Sequence, residues 1–149
     1  MNQFLLEQFK SPELSFFPHI LEFGNRKIQT VQLHSLEIEL AGDLKIFYIT
    51  EGRFDWMIDN RSYSLYPGDI AVVTPGQYFG SEKGFFDLGT ICWISIHAQR
   101  SNETGEIYLD KWSSVSASEN HLVGRILSQN KKPVLTGFKS AAEIFQQLI

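Results

Sequence analysis

Cysteine occurs once in the 149 residues, at Cys92. A single thiol excludes an internal disulfide and suits a reducing cytoplasm. Its side chain reads as a small buried hydrophobe on a strand. Long apolar runs are missing too. Acidic and basic residues interrupt every hydrophobic stretch, so neither a signal peptide nor a membrane span is expected. Positive charge is scarce: 13 Lys and Arg stand against 17 Asp and Glu, a net charge of −4, and no basic run exceeds two residues. Nothing in this segment is therefore suited to gripping a phosphate backbone. The four histidines (His19, His34, His97, His121) fall on separate segments without ligand spacing. No paired nucleophile and base, Gly-rich phosphate loop or cysteine cluster is found. Hydrophobic residues, by contrast, make up 43% of the chain and include twelve Phe. A chain of this size forms one domain and buries roughly 70% of its unfolded surface.

The chain divides into three parts. Residues 1–20 form an aromatic arm, "FLLEQFKSPELSFFPHI", broken by Pro12 and Pro18. Its Phe4, Phe9, Phe16 and Phe17 fit either a lid over a barrel mouth or packing on a barrel wall. Residues 21–113 form the second part, strand-like from about residue 28 to 98. "KIQTVQLHSLEIEL" alternates, with Leu36, Ile38 and Leu40 on one face and Glu37 and Glu39 on the other. "LKIFYITEG" is apolar on both faces, as expected of a strand between two layers. "RFDWMIDN" places Phe54, Trp56 and Ile58 together before Asp59-Asn60, a two-residue hairpin turn. "RSYSLYPGD", "IAVVTPG" and "DLGTICWISIHAQ" follow. Six or seven strands at intervals of about ten residues predict a mainly β barrel or sandwich.

From residue 114 to 149 the period changes to helical. Ser116 with Glu119 and Ser140 with Glu143 have the spacing of a capping box, which predicts two C-terminal α-helices. Leu122, Ile126 and Leu127 share a face in the first; Ala141, Ile144, Phe145 and Leu148 share one in the second. The pattern stops at Ile149 without a cap, which suggests a fragment of a longer protein.

The stretch "YITEG...WMIDNRSYSLYPGDIAVVTPG" resembles the cupin (jelly-roll) barrel. The aromatic arm, the "CWISIHA" strand and the helical tail resemble the version that opens AraC-type bacterial transcription regulators. The resemblance implies an effector-sensing and dimerisation domain without enzymatic activity, with the DNA-binding helix-turn-helix half beyond residue 149. The expected partners are a small-molecule effector and a second copy of the chain. No membrane and no direct nucleic-acid contact are expected for this segment.

Metal-binding cupins carry two histidines one residue apart, then a glutamate, then a glycine, with a last histidine after a Pro-Gly turn. Aligned on Gly52, the glutamate position holds Lys45. The paired positions hold Glu39 and Ala41, or Ile38 and Leu40 in a shorter spacing, and the last position holds Phe79. No metal and no cofactor are therefore expected. A barrel without metal holds one small molecule among apolar walls and a few polar groups. If these positions face inward, Lys45, Phe79 and Glu39 line the site, and strand alternation adds Phe47. Trp93, Ser95 and His97 share a face on the last long strand. Trp93 stands where sugar-responding relatives stack a tryptophan on a sugar ring, so it leads the candidates, and Trp56 is a further one. Each aromatic also fits plain core. An inward Lys45 demands a partner, either Glu39 or an anionic ligand group. The ligand class indicated is a saccharide or sugar acid. The dimer surface expected is Leu122, Ile126 and Leu127. Two other readings stand beside this one: a metal-independent cupin sugar isomerase or epimerase, using Glu39, Lys45 and His97, and a ligand-free dimerisation barrel.

Overall fold

Phe54, Trp56 and Ile58 do face one side of their strand, and all three are buried. They anchor a core between two antiparallel sheets in a computed structural model that describes residues 3–109, 115–137 and 139–148. The larger sheet has six strands in the order β1 (Phe4–Glu7), β2 (Ile20–Ile28), β9 (Gly89–Ile96), β4 (Leu44–Gly52), β7 (Ile70–Val73) and β12 (Val134–Leu135). The smaller has four: β3 (Glu39–Leu40), β8 (Tyr78–Gly80), β5 (Phe54–Ile58) and β6 (Arg61–Leu65). A hairpin of β10 (Ala98–Arg100) and β11 (Ile107–Leu109) stands beside them, and two helices follow, α1 (Ala117–Gln129) and α2 (Lys139–Leu148). The twelve described strands exceed the six or seven expected, because short edge strands carry too little periodicity to be recognised.

The strand that reads apolar on both faces is covered on both. Phe47 and Ile49 of β4 enter the inter-sheet core, while Tyr48 faces outward and stacks on Phe145 of α2 with ring centroids 5.4 Å apart. Asp59 and Asn60 both adopt positive φ, the conformation a two-residue hairpin turn requires. The "PGD" corner closes on itself: the Tyr66 N–H donates to the Asp69 carboxylate at 2.8 Å. At Gly52 (φ +86) a side chain is excluded twice over, since a Cβ would also lie 2.4 Å from the Leu88 carbonyl oxygen. Cys92 is buried on β9 as expected.

Several expectations fail in instructive places. The stretch before β3 is not a regular strand. His34 takes a left-handed conformation (φ 63), and Leu36 exchanges backbone bonds with Ser81 and Gly84 rather than with a ladder. Leu36 is buried, but Ile38 and Leu40 are exposed, so the predicted apolar face does not form. The arm is a wall element: β1 pairs with β2 at the edge of the large sheet and Phe4 packs on Phe23 at 5.0 Å, while Phe9 and Phe16 are exposed. The Ser116–Glu119 capping box forms with both reciprocal bonds. Ser140 instead lies inside α2, one residue past its start. The expected barrel–tail boundary at 113 and 114, the tryptophan Trp112 and the terminal Ile149 lie outside the described residues.

Helix α1 docks through Gly124, which is buried against β11; a Cβ there would sit 2.0 Å from the Ile107 carbonyl oxygen. Leu127, about one turn on, packs into the cluster of Leu44, Ile96, Ala98, Ile107 and Leu109. Leu127 is therefore turned away from Leu122 and Ile126, which remain exposed. At about 100° per residue these two lie on the side of the helix opposite Gly124.

Candidate functional site

The inward face of the large sheet is read off its registers. Glu22 of β2 pairs with Ser95 of β9, which pairs with Lys45 of β4, making one polar row. The adjacent row is Gly24, Trp93, Phe47 and Ala71, and the next contains Arg26, Ile91 and Ile49. Opposite, β3 pairs Glu39 with Phe79 of β8. A cavity of about 470 Å³ opens between these faces, bounded by the polar row, by Phe47, Phe79, Phe86 and Trp93, and by the loop from His34 to Asp43.

Six of the eight predicted ligand residues line this cavity: Trp93, Lys45, Glu39, Phe47, Phe79 and Ser95. Two are not among its lining residues. Trp56 is 1% exposed and lies in an aromatic cluster, 5.0 Å from Phe47, 5.1 Å from Phe79 and 6.4 Å from Phe86 by ring centroids. It supports the wall from behind. His97 was expected beside Trp93 and Ser95, but β9 ends at Ile96 and the two-stranded hairpin begins at Ala98. His97 stands at that join, its N–H donating to the His19 carbonyl at 2.8 Å.

Lys45 faces inward, and its Nζ donates to Ser95 Oγ at 3.3 Å. Among the described residues no carboxylate oxygen lies within 4.0 Å of that nitrogen, so of the two partners weighed for it the internal one, Glu39, does not pair with it. Glu39 and Leu40, the two residues of β3, are both exposed and both border the cavity. Trp93 is held by two features of β2. Its Nε1–H donates to the Glu22 carboxylate. Its six-membered ring lies over Gly24, where a Cβ would come within 2.5 Å of Cζ2. One edge of the indole is thereby fixed against β2, and Trp93 still lines the cavity. Glu22, Gly24 and Arg26 escaped sequence reasoning because β2 itself did. A Gly facing a Trp across two paired strands is legible only once the register is known.

The positions that hold a metal in metal-binding cupins do converge here, since Lys45, Glu39, Ala41 and Phe79 line one cavity. They offer one carboxylate, one ammonium and two apolar groups. A divalent transition metal seeks about three imidazole, thiolate or carboxylate donors and is repelled by an ammonium, so this set does not fit one. Among the described residues no cluster of three or more His, Cys, Asp or Glu side chains is arranged to share an ion.

No family model matches the chain, and no curated protein matches it. Solved structures do. The EutQ protein of Clostridium difficile overlays at a TM-score of 0.42 with 14% identity, covering 64% of this chain and 70% of that one. A predicted oxalate decarboxylase from Thermotoga maritima gives 0.43 and 13%, covering 65% and 93%. An RmlC-like cupin from Shewanella frigidimarina gives 0.41 and 16%, covering 64% and 94%. At these identities and TM-scores the likeness carries no argument about ligand, activity or partner. The fold class is the expected one, a mainly β cupin-like barrel with two helices near its C-terminal end, and it rests on the strand order and the packing of the two sheets. No helix among the described residues is long and apolar enough to cross a membrane.

Proposed function

We propose that this chain is the effector-sensing and dimerisation part of an AraC-type transcription regulator, working in the cytoplasm on a DNA-binding half expected beyond residue 149. The observation that carries the reading is the 470 Å³ cavity, in which an aromatic platform, carboxylates and an inward cation converge. That combination suits one small polar molecule with an apolar face, such as a saccharide or sugar acid. Transmission follows from the strand order. Glu22 and Gly24 belong to β2, whose outer neighbour is the arm strand β1. A ligand that changes the Trp93–Glu22 contact biases how β2 holds the arm, by no more than its differential affinity for the two states, typically 1–3 kcal/mol.

The dimer surface belongs to the same proposal. Leu122 and Ile126 present an exposed apolar pair on the side of α1 away from its docked face. Leu127 is withdrawn from the expected surface, because it packs into the chain's own core. An isologous helix pair about a two-fold axis suits a protein that meets two DNA half-sites.

The direct test is binding. Trp93 emission should respond to a saccharide or sugar acid, and a folded Trp93→Ala variant should lose the response. A variant that binds with unchanged affinity would place the site elsewhere. One observation favours a second reading, an isomerase or epimerase: Glu39 and Lys45 lie on opposed sheets and line the same cavity. Proton exchange at a sugar carbon in D2O, followed by NMR, separates the two. Exchange that depends on Glu39 or Lys45 would establish the enzyme.

A further inference from the structure

We propose that the occupant of this cavity is a polyhydroxyl monocarboxylic acid whose carboxylate sits at Lys45 and Ser95, and that the neutral sugar of the same shape binds more weakly. The inference rests on the sensing reading and names the ligand class for it.

The first observation is the state of Lys45. Its ammonium carries three donors and makes one hydrogen bond, to Ser95. The four described ion pairs are Lys10–Glu7, His34–Glu37, Arg53–Asp55 and Lys83–Asp87, and none involves it. A half-buried cation lacking a counter-charge is poorly placed unless something else supplies one. Ser95 is itself buried, and its oxygen accepts from Lys45, which leaves its hydroxyl proton to donate. Two donors therefore converge on one end of the polar row. A carboxylate has two oxygens for two donors, and a charge-assisted contact is the stronger kind. A neutral hydroxyl at the same place can accept from both donors but leaves the charge unmatched.

The second observation is the other end of the row. Glu22 accepts from the Trp93 indole, so its carboxylate is drawn toward the ring and away from Lys45. An ionised carboxylate accepts from more than one donor, which makes Glu22 a partner for ligand hydroxyls next to the indole. Donors at one end, acceptors at the other and the Trp93–Phe47 row alongside fit a molecule with an acid head and a hydroxylated body. The remaining lining sets a limit on charge. Glu37, Glu39 and Asp43 also border the cavity, and its other cation, Arg26, is exposed and bonded to Gln32, so one negative charge at Lys45 is matched and a second beside these carboxylates is opposed.

The experiment is calorimetric titration of the whole chain with matched probes at fixed ionic strength: D-galacturonate against D-galactose, D-glucuronate against D-glucose and L-arabinonate against L-arabinose, with galactarate as a dicarboxylate. In at least one pair the acid should bind about tenfold or more tighter, ~1.4 kcal/mol, and galactarate should bind more weakly than the monoacid. Lys45→Met should remove the preference, lowering the acid's affinity about tenfold more than the neutral sugar's. Ser95→Ala should reduce it in part. If neither variant folds, the wild-type comparison decides alone. A neutral sugar that binds as tightly as its acid overturns this inference and leaves the sensing reading standing. If no probe of either class binds or perturbs Trp93 emission, both fall.

Discussion

Gly24→Ala tests the aromatic platform without touching any atom that a ligand would meet first. The added methyl would lie 2.5 Å from Trp93 Cζ2, 2.6 Å from Cη2 and 3.0 Å from Cε2. Carbon atoms rest at about 3.5–4.0 Å, so the ring must retreat by about 1 Å. It can do so only into the cavity, since β2 lies behind it, and the retreat draws Nε1 from the Glu22 carboxylate. A hydrogen bond to a charged group contributes about 1.5–3 kcal/mol. Trp93 is only partly buried, so water replaces part of that and the loss lies near the bottom of the range. Alanine offsets it by restricting the unfolded chain, by about 0.4–1 kcal/mol. The net change is about 1 kcal/mol or less, a Tm shift of about 4 °C at most for a chain of this size. Ligand affinity should fall about tenfold or more, because the platform is displaced. The assay pairs thermal melting with near-ultraviolet circular dichroism, the Trp93 signal being assigned by difference against Trp93→Phe. A variant with unchanged dichroism and unchanged affinity would show that the indole does not rest on Gly24, and the geometry of the site would have to be abandoned.

Other perturbations probe other links in the chain of reasoning. Gly124→Ala should destabilise by about 1–3 kcal/mol despite alanine's helix propensity, because its Cβ would sit 2.0 Å from the Ile107 carbonyl and push α1 off β11; an unchanged or raised denaturation midpoint would refute that docking. Leu122→Glu with Ile126→Glu should convert a dimer, read by light scattering at micromolar concentration, into a folded monomer, and a persistent dimer would move the interface elsewhere. Cys92 should resist a thiol reagent at pH 8 in the native state and react once unfolded, since burial raises its pKa from 9.0 to about 12. The unfolded thiol ionises first, so stability should be fully present below pH 9 and decline as pH rises from there toward 12; a flat profile over that window would contradict the burial. Asp69→Ala should cost about 1–2 kcal/mol by leaving the Tyr66 N–H without its acceptor at the corner before β7, measured by chemical denaturation.

How much of this was legible beforehand follows from where information is stored locally. Asp59-Asn60, the Pro-Gly corners and the Ser116 capping box specify their own backbone, and each forms as expected. The apolar alternation of β5 works because one face meets the core and the other does not. The same rule fails at residues 36–40. Alternation assumes two distinct faces, whereas both residues of β3 are exposed, Glu39 and Leu40 border the cavity alike, and Ile38 is left in solvent. The aligned cupin positions bring Glu39 and Lys45 to one cavity because they depend on chain geometry rather than on polarity. What neither route could supply is the long-range pairing. Glu22, Gly24 and Trp93 lie about seventy residues apart in sequence and meet only because β2 runs antiparallel to β9 in one register. A slip of one residue in that pairing would put Trp93 opposite a side chain rather than opposite Gly24, and the indole could not lie down on β2. The shape of the site is thus a property of register, and the choice of glycine at position 24 has meaning only through the tryptophan it faces.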